Sequence, residues 1–448
     1  MSTNGKNVTL VGAGLVGSLL STYLMKQGYK VTAYERRPDM RKETISAGRS
    51  INLALSDRGW RGLAGAGLVD AVKEVAIPMT GRMIHTVEGK TVYQAYAKEG
   101  QAIYSVSRGG LNCVLMDQAE DNGTVIHYNE RCVHVDLESN TAVFENTVTG
   151  EKKSVTSDLL ISSDGAFSAG RLNLMLTDRY NYNQSYLEHG YKELVIPANE
   201  DGTHRLEKNV LHIWPRGGYM LIALPNMDGS FTCTLFFPFQ GNPSFEMLET
   251  KEKLISFFTE VFPDAVPLMP TLVEDFFGNP TGSLMTVRCF PWTWKNKMLM
   301  IGDAAHAIVP FYGQGMNCGF EDCVELNDLI NKYDHQWDKI MPAYQQQRKP
   351  NSDAIADLAL ANFIEMRDLV GHPDFLLRKK IEARFSDKHP DKWIPLYTMV
   401  TFSEIPYSVA LSEGKKHDAI MDKVMATPGI ESKWDSQEVE NLILEMLS

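Results

Sequence analysis

The stretch NVTLVGAGLVGSLLSTYLMKQGYKVTAYE, residues 7–35, decides the fold of this chain. An apolar run leads into the glycine-rich segment GAGLVG (12–17), an apolar helical pattern follows, and a second strand-like run ends at Glu35. Strand, helix and strand in this order predict a βαβ unit. Such a unit places the two strands in a parallel sheet with a right-handed crossover.

The glycine-rich segment combines features that predict a dinucleotide site. Gly12 allows the tight turn, Gly14 lets the backbone approach a pyrophosphate, and Gly17 lets the helix pack closely on the strand. The following helix start supplies N–H donors and a partial positive charge. Its first residues, Leu15 and Val16, are therefore expected beside the cofactor. The alternative is a tight turn in an unrelated α/β protein.

The end of the second strand bears on which cofactor binds. The carboxylate of Glu35 is placed to accept hydrogen bonds from the ribose hydroxyls of an adenosine. Arg36 and Arg37 follow it, and basic residues at this point can instead bind a 2′-phosphate. Because Glu35 is present, an unphosphorylated ribose is preferred, which favours FAD or NAD over NADP as the bound cofactor.

Composition argues against several other classes of protein. The chain has 448 residues, 44% of them hydrophobic and 22% charged, as in a globular protein of two or three domains. Its formal net charge of −12 argues against nucleic-acid binding. No apolar run approaches the ~18 residues of a membrane span. Six scattered cysteines without metal-ligand spacing predict no metal site, and a cytoplasmic location is expected.

Two later strand-like runs extend the predicted parallel sheet. SDLLISSDG (157–165) and NKMLMIGDA (296–304) each contain a short apolar run followed by an acid beside glycine or alanine. Both lie far along the chain from residues 7–35. The first domain is therefore predicted to be discontinuous and assembled from distant pieces.

The segments between these pieces predict a second domain of antiparallel strands. Residues 80–100 and 218–239 alternate apolar and polar residues around turns near Gly89 and at Asp228-Gly229. The pattern becomes helical from about residue 335. The fold class is therefore α/β. The first predicted part is a Rossmann-like dinucleotide-binding domain (1–78, 101–180 and 286–332). The others are an antiparallel β substrate domain (79–100 and 181–285) and a helical C-terminal region completing the substrate pocket (333–448).

Two further motifs lead from a dinucleotide site to a flavin. DGAFSAGR (164–171) matches the pattern DGxxSxxR. GDAAHAIVPFYGQGMN (302–317) places an acid and a glycine-rich helix start after an apolar run. Together with GAGLVG, in this order and at similar spacing, they resemble the FAD-dependent aromatic hydroxylases, the class A flavin monooxygenases. The resemblance implies a bound FAD in the Rossmann-like domain.

The resemblance assigns roles to individual residues of this sequence. It implies that Asp303 bonds the ribityl chain of FAD, and that the helix start at Gly315 faces the pyrimidine edge of the isoalloxazine, where reduced flavin is negative. It places Arg108 against FAD, with a surface arginine as the alternative. The implied cofactor residues outside the first loop and Glu35 are Arg36, Arg37, Leu53, Ala54, Arg108, Asp164, Asp303, Gly315, Met316 and Asn317.

Within this family the closer similarity is to members that hydroxylate kynurenine. It is carried by YERRPD (34–39), GRSINLALSDRG (48–59), GRMIH (81–85), HGYKEL (189–194), LHIWPRGGYMLIALPN (211–226), VPFYGQGMN (309–317) and YTMVTFSEIPY (397–407). The resemblance implies that L-kynurenine is hydroxylated at ring C3 to 3-hydroxy-L-kynurenine, a step of tryptophan degradation. NADPH would be a transient co-substrate and O2 the oxidant, through a C4a-hydroperoxide of the flavin. Because the ring's amino group activates the ortho carbon, no acid or base residue is assigned.

The first predicted hairpin supplies groups for the carboxylate of such a substrate. Pairing symmetric about Gly89 sets Arg82 opposite Tyr96, so that a guanidinium and a phenol lie on one face. Bidentate hydrogen bonds from an arginine suit an α-carboxylate. The alternative is an edge-strand arginine that faces water.

The second predicted hairpin supplies an apolar wall for an aromatic ring. Met220, Ile222 and Leu224 share one face, and Thr232, Thr234 and Phe236 share one on the partner strand. Ordinary domain core is an equal alternative for these side chains. The resemblance assigns Met220, Ile222, Leu224 and Phe236 to ring contacts and adds, on the flavin side of the pocket, Pro310, Phe311 and Gln314.

A helical stripe near residue 360 contains one amide. Residues 355, 358, 362, 366 and 369 follow helical spacing, so Asn362 lies among apolar side chains and needs a hydrogen-bond partner. A ligand carboxylate or Tyr397 would supply one, and neighbouring backbone is the alternative. The resemblance places Asn362, Glu365, Met366 and Tyr397 at the substrate.

Three alternatives for the function remain at this point: a flavin hydroxylase of another aromatic acid, an NADPH-consuming flavin oxidase or reductase, and a non-catalytic FAD-binding protein. His306 is expected to be a structural histidine beside the flavin, and Cys318 and Cys323 to fill a buried helix face. Tyr312 stands where some members of the family have histidine. A monomer or dimer is expected, without nucleic-acid or membrane partners.

Overall fold

The computed structural model describes residues 5–42, 52–96, 100–369 and 372–447, except for the side chain of Leu369. Parts of three predicted segments therefore lie outside the described residues, namely GRSI (48–51), AKE (97–99) and Val370. A parallel sheet and a mostly antiparallel sheet organise the described chain, and helices pack against both.

The parallel sheet contains the strands that the sequence predicts. Its order is Thr293–Trp294, Met298–Met300, Leu159–Ser162, Asn7–Val11, Lys30–Tyr34 and Val125–His127. The pair at the Thr293 edge runs antiparallel, and the other described neighbours run parallel. The apolar runs of the inner strands are buried in one core with Leu19 and Leu20 of the first helix, as expected for a parallel sheet covered by helices. The α/β fold class is confirmed.

The second sheet carries both predicted hairpins. Its order is Gly282–Phe290, Asn181–Ile196, Phe231–Pro238, Met220–Pro225, Val210–Pro215, Gly81–His85 and Thr91–Ala95. Val210–Pro215 and Gly81–His85 run parallel, and the other described neighbours run antiparallel. The strand Gly282–Phe290 extends across the boundary predicted after residue 285.

The register predicted for the first hairpin is wrong by two residues. Arg82 lies opposite Gln94, not Tyr96. The N–H of Thr86 donates to the Lys90 carbonyl, so the turn is centred on residue 88 and Gly89 takes its left-handed position, with φ at 76°. Because Tyr96 is two residues beyond Gln94, it shares a face with Arg82 as a diagonal neighbour. The two side chains still converge.

The second hairpin has its turn where the sequence predicts it. Met220 lies opposite Phe236 and Ile222 opposite Thr234, while Gly229 in the turn has a φ of 85°. Met220 and Phe236 share a core with the long helix Trp337–Ile364. This helix therefore closes the sheet over the wall predicted for an aromatic ring.

The helices and the smaller sheets complete the described chain. The α-helices are Leu15–Lys26, Asp57–Ala66, Val69–Lys73, Arg108–Asp121, Ala169–Leu174, Lys251–Val261, Leu272–Gly278, Asp303–His306, Gly315–Lys332, Trp337–Ile364, Pro373–Lys388, Leu396–Thr401, Tyr407–Met425, Ile430–Lys433 and Gln437–Leu447. The short 3-10 helices are Phe245–Met247, Val266–Leu268 and Pro310–Tyr312. The smaller antiparallel sheets contain Lys152–Thr156, Thr141–Asn146 and Glu130–Asp136, and Asn52–Leu55, Ile103–Ser107 and Ala76–Met79. Across the described ranges, no helix has the length and apolar character needed to span a membrane.

The helix predicted over 351–370 is longer at its start. It begins at Trp337, contains Pro342 and Pro350 in its interior, and continues beyond Ile364 as a π-helical turn. Prolines usually end a helix because they lack an N–H donor. Here the turns before Pro350 bury Tyr344 and other large side chains, and this packing offsets the lost hydrogen bonds.

Candidate active site

A cavity of about 460 Å³ joins the two sheets. At one end it is bordered by the GAGLVG loop, and at the other by Arg82 and Tyr96. Its lining includes charged and polar side chains near the GAGLVG loop and near Arg82, together with the mostly apolar face of the second hairpin. The cavity therefore has separate polar anchors for a long ligand and a smaller one.

The GAGLVG loop forms a cradle at the first end. Gly12 has a φ of 96°, and a Cβ there would lie 2.8 Å from the Ser163 carbonyl oxygen. A Cβ on Gly14 would meet no atom of the described residues within 4 Å, and the backbone there borders the cavity. Gly17 does not border the cavity, because it packs helix on strand, with a Cβ only 2.1 Å from the Gly12 oxygen. The geometry fits a pyrophosphate beside Gly14.

The carboxylate of Glu35 is fixed at the same end. Its Oε2 accepts a hydrogen bond from the Ala13 N–H at 3.0 Å, and its Oε1 accepts from Nε of Arg37 at 2.7 Å. Burial alone would raise the pKa of Glu35, but the hydrogen bonds and charge of Arg37 outweigh it and lower that pKa. Glu35 is therefore held as an anion on the cavity wall, as binding to ribose hydroxyls requires.

Two acids from separate strand ends lie farther along the wall. Asp164 accepts a hydrogen bond from the Ala169 N–H at 2.7 Å through Oδ2, while its buried Oδ1 has no partner within the described residues. Burial raises the pKa of Asp164. Asp303 follows the strand Met298–Met300 and also borders the cavity. The unpaired acceptor on Asp164 fits a hydroxyl-bearing cofactor such as FAD.

The 18-residue helix Gly315–Lys332 begins at the cavity. No side chain caps its first turn, so its N-terminal N–H groups supply a partial positive charge beside Gly315 and Met316. The Asn317 side chain does not border the cavity, because it bonds the Ser56 N–H and the Ala54 carbonyl. The other predicted cofactor residues found on the wall are Leu15, Val16, Arg36, Arg37, Leu53, Ala54 and Arg108.

The middle of the cavity is apolar, as the second hairpin predicts. Met220, Ile222, Leu224 and Phe236 all border it. The Phe236 ring lies 4.9 Å, between centroids, from the ring of Phe311, which belongs to the predicted flavin-side wall with Pro310. These side chains give this part of the cavity an apolar lining that suits an aromatic ring.

Arg82 closes the second end. Its guanidinium carbon lies 5.3 Å from the centre of the Tyr96 ring and 5.2 Å from that of Tyr397. Within the described chain, Nε of Arg82 and the hydroxyl of Tyr96 are buried without hydrogen-bond partners. Burial raises the pKa of both phenols, which keeps them protonated as hydrogen-bond donors. A guanidinium whose Nε has no acceptor in the described chain fits a ligand carboxylate.

Three residues predicted at the substrate do not border the cavity. The Asn362 amide donates to the Phe311 carbonyl at 2.7 Å, so neighbouring backbone satisfies it, and Asn362 positions the wall. Gln314 is buried and accepts a hydrogen bond from the Tyr407 hydroxyl at 2.9 Å. Glu365 points toward Lys379, 3.9 Å away. In each case the side chain contacts a protein partner that the sequence does not reveal. Met366 and Tyr397, in contrast, do border the cavity.

The structure adds wall residues that the sequence did not select. Tyr312 stacks on Tyr397, with ring centres 5.7 Å apart, and burial raises its pKa. Thr234, which strand alternation placed on the face of Phe236 without assigning it to the substrate, lies opposite Ile222 and borders the cavity. Further wall residues are Val11, Tyr34, Asn52, Met79, Ile103, Glu130, Arg131, Cys132, Ser163, Gly165, Phe167, Ala169, Leu211, Ile301, Ile308 and Gly313.

His306 lies in a buried ionic network. Its Nε2 is 2.7 Å from Oδ2 of Asp322, and Arg348 donates to Oδ1 of the same carboxylate at 2.7 Å. Burial opposes the charge on His306, but Asp322 raises its pKa well above the usual value. Cys318 lies close enough to His306 and Asp322 to complete a metal-ligand set, yet Arg348 already supplies the cation there. This placement agrees with the structural role expected for His306.

Comparisons with known proteins agree with the interpretation of this cavity as an FAD site. Residues 6–211 and 285–359 match the family model described as FAD binding domain. The chain is 52% identical to kynurenine 3-monooxygenase of Flavobacterium johnsoniae over 98% of both chains. It is 50% identical to that of Christiangramia forsetii over 99% of both, and 45% identical to that of Dictyostelium discoideum over 94% of this chain and 93% of the relative.

A solved structure shows the same fold at lower identity. The tetrameric form of 2-methyl-3-hydroxypyridine-5-carboxylic acid oxygenase superimposes with a TM-score of 0.67 and 19% identity, covering 83% of this chain and 95% of that one. The FAD-type cradle, the match to the FAD-binding domain and the near full-length similarity agree with one another. The chain belongs to the kynurenine 3-monooxygenase family of FAD-dependent monooxygenases.

Proposed function

We propose that this chain hydroxylates L-kynurenine at ring C3 to 3-hydroxy-L-kynurenine, with NADPH and O2 as co-substrates. The observation that carries the proposal is the cavity itself. It runs from a cradle that fits FAD, through an apolar slot, to a buried guanidinium without a carboxylate partner in the described chain. The family membership supports the same substrate, because the relatives carry the name kynurenine 3-monooxygenase.

FAD would be held by the first end of the cavity. The backbone at Gly14 would approach the pyrophosphate, Glu35 the adenosine ribose, and Asp303 the ribityl chain. The N-terminus of Gly315–Lys332 would stabilise negative charge on the reduced isoalloxazine. When bound, FAD supplies the electron transfer from NADPH and the activation of O2.

The remaining task of the protein is to position the substrate ring and exclude water. Arg82 would bind the α-carboxylate of L-kynurenine, with the hydroxyls of Tyr96 and Tyr397 as further donors. Met220 and Phe236 would then hold the ring in the apolar slot beside the flavin end. Because the ring's own amino group activates its ortho carbon, positioning and water exclusion are sufficient, and no side chain is assigned as acid or base.

One assay separates this proposal from its alternatives. The FAD-loaded protein is supplied with NADPH and a panel of aromatic amino acids, and NADPH oxidation, hydrogen peroxide and product mass are measured. A gain of one oxygen on kynurenine supports the proposal, and the same gain on another acid identifies a different hydroxylase. Peroxide without product indicates an oxidase, and no NADPH oxidation indicates a non-catalytic FAD-binding protein.

Two properties beyond the reaction also remain proposals. A cytoplasmic location and a monomeric or dimeric state are the expectations from sequence. Light scattering on the purified protein measures its mass directly, and fractionation of cells measures its location. A tetramer, or recovery in the membrane fraction, would contradict the respective proposal.

A further inference from the structure

Arg58 is buried outside the cavity, near the start of helix Asp57–Ala66, with 1% of its surface exposed. Its Nε donates to the Val400 carbonyl at 3.0 Å, and its Nη2 donates to the Met399 carbonyl at 3.3 Å and to that of Ile405. These carbonyls lie at the end of helix Leu396–Thr401 and in the loop that follows. One guanidinium thus links the FAD-binding part of the chain to the C-terminal helices.

The rest of the guanidinium is also engaged. Nη1 of Arg58 donates to one oxygen of Glu321, whose other oxygen accepts from Arg348 at 2.7 Å. The guanidinium carbon lies 4.0 Å from the centre of the Tyr407 ring. The last carbonyls of a helix lack partners within it, and a cation there is favoured by the helix dipole. Arg58 therefore acts as a cap, supplied from another part of the fold, for helix Leu396–Thr401.

The capped helix carries part of the substrate end of the cavity. Tyr397 borders the cavity beside Arg82, and its ring stacks on that of Tyr96 with 5.3 Å between centroids. The Tyr407 hydroxyl donates to Gln314 at 2.9 Å, within the segment that also holds Phe311 of the flavin-side wall. Arg58 and Tyr407 thus both attach the segment 396–407 to the FAD-binding part through buried hydrogen bonds.

We infer that Arg58 and Tyr407 are positioning residues, which tie segment 396–407 to the FAD-binding domain and hold Tyr397 against the substrate end of the cavity. The inference rests on the proposed function for its catalytic consequence. When the tie is weakened, Tyr397 loses its fixed place, substrate binds less tightly and water reaches the flavin end. NADPH oxidation then releases more hydrogen peroxide and less hydroxylated product. FAD binding is retained, because neither residue borders the cavity.

The test compares two variants with a matched control. Arg58→Lys keeps a cation beside Glu321 but removes the planar guanidinium, whose nitrogens donate to three carbonyls. Tyr407→Phe keeps the ring under the guanidinium and removes only the hydroxyl bonded to Gln314. Arg61→Ala is the control, because Arg61 lies on the same helix and also reaches the C-terminal segment, 3.7 Å from Glu404, but on the surface. Exposed ion pairs of this kind contribute little.

The first measurement is hydrogen–deuterium exchange of peptides from 396–407 in the FAD-loaded proteins. Faster exchange is expected in Arg58→Lys, with a smaller increase in Tyr407→Phe and none in Arg61→Ala. This readout requires no substrate, so it tests the tie even when the proposed hydroxylation fails. Unchanged exchange in both FAD-retaining variants would overturn the inference. If Arg58→Lys loses FAD, the inference is judged by the exchange rate measured in Tyr407→Phe alone.

The second measurement separates positioning from general stability. In Arg58→Lys we expect the KM for kynurenine to rise about tenfold, the loss expected from one or two buried charge-assisted hydrogen bonds. Peroxide released per NADPH should rise while the FAD absorbance per protein stays at the wild-type value. The KM of Tyr407→Phe should rise about threefold. Faster exchange with wild-type KM and wild-type coupling would overturn the positioning role.

Discussion

Replacing Arg82 by methionine should improve stability and damage substrate binding in the same variant. Nε of Arg82 is buried without an acceptor in the described chain, and the guanidinium is flanked by the rings of Tyr96 and Tyr397. Keeping a buried polar group without a partner costs free energy in the ligand-free protein. Methionine retains much of the side-chain volume and has no charge, so Arg82→Met removes that cost.

The two effects differ in size. One unsatisfied buried donor costs about 1–3 kcal/mol, and the lower end is used because Nε is the one guanidinium nitrogen buried without an acceptor among the described residues. A gain of about 1 kcal/mol corresponds to a rise in Tm on the order of 1–2 °C for a chain of this length. Loss of bidentate bonds to a carboxylate costs about 3 kcal/mol, or roughly a hundredfold in KM.

The assay measures Tm in the absence of substrate and steady-state NADPH oxidation against kynurenine concentration. FAD absorbance should be unchanged, since Arg82 borders the end of the cavity opposite the GAGLVG loop. Wild-type KM in Arg82→Met would refute the carboxylate assignment. A fall in Tm of several degrees would refute the claim that the free protein holds Arg82 at a cost.

Three further predictions concern the cofactor, the wall and pH. In Gly12→Ala, the new Cβ would lie 2.8 Å from the Ser163 oxygen at a φ of 96°, and FAD binding should be prevented, seen as loss of flavin absorbance. In Gly14→Ala, the new Cβ would meet no described atom within 4 Å, so this variant tests whether the ligand itself occupies that space. Asn362→Leu removes the hydrogen bond to the Phe311 carbonyl and should destabilise the protein by about 1–3 kcal/mol in denaturant unfolding, and unchanged stability would contradict a structural role. Burial lowers the pKa of His212 from 6.5 to about 4 in the folded protein, so the unfolded chain takes up the proton first, and about 3 kcal/mol of stability is lost as pH falls from about 6.5 to 4. His212→Gln should flatten that acid limb, and an identical pH profile would exclude His212 as its source.

The FAD end could be predicted from sequence because its chemistry lies in short contiguous segments. GAGLVG needs glycine for reasons local to the loop, namely a positive φ at Gly12 and a Cβ clash at Gly17. The strand endings that carry Glu35, Asp164 and Asp303 are brought together by one rule, that parallel strands present their carboxyl ends at one edge of a sheet. Strand alternation likewise predicted the wall of Met220, Ile222 and Leu224.

The substrate end could be predicted only in part. Symmetry about Gly89 placed Arg82 opposite Tyr96, but hairpin register depends on which residues close the turn, and the bond between Thr86 and Lys90 shifts the pairing. Asn362 follows helical spacing into an apolar stripe, yet its partner is a backbone carbonyl 51 residues away in the chain. No local pattern contains a partner of that kind.

The sequence by itself determined the βαβ start, two further strands of the parallel sheet, the FAD cradle and the apolar face of the second hairpin. Each depends on backbone conformation or on a periodicity within a few residues. Tertiary structure alone decided that Nε of Arg82 has no acceptor among the described residues, that Gln314 is held by Tyr407, and that Arg58 caps a helix more than 300 residues away. These facts depend on which atoms approach within about 3 Å, and that distance is set by packing between segments far apart in the chain.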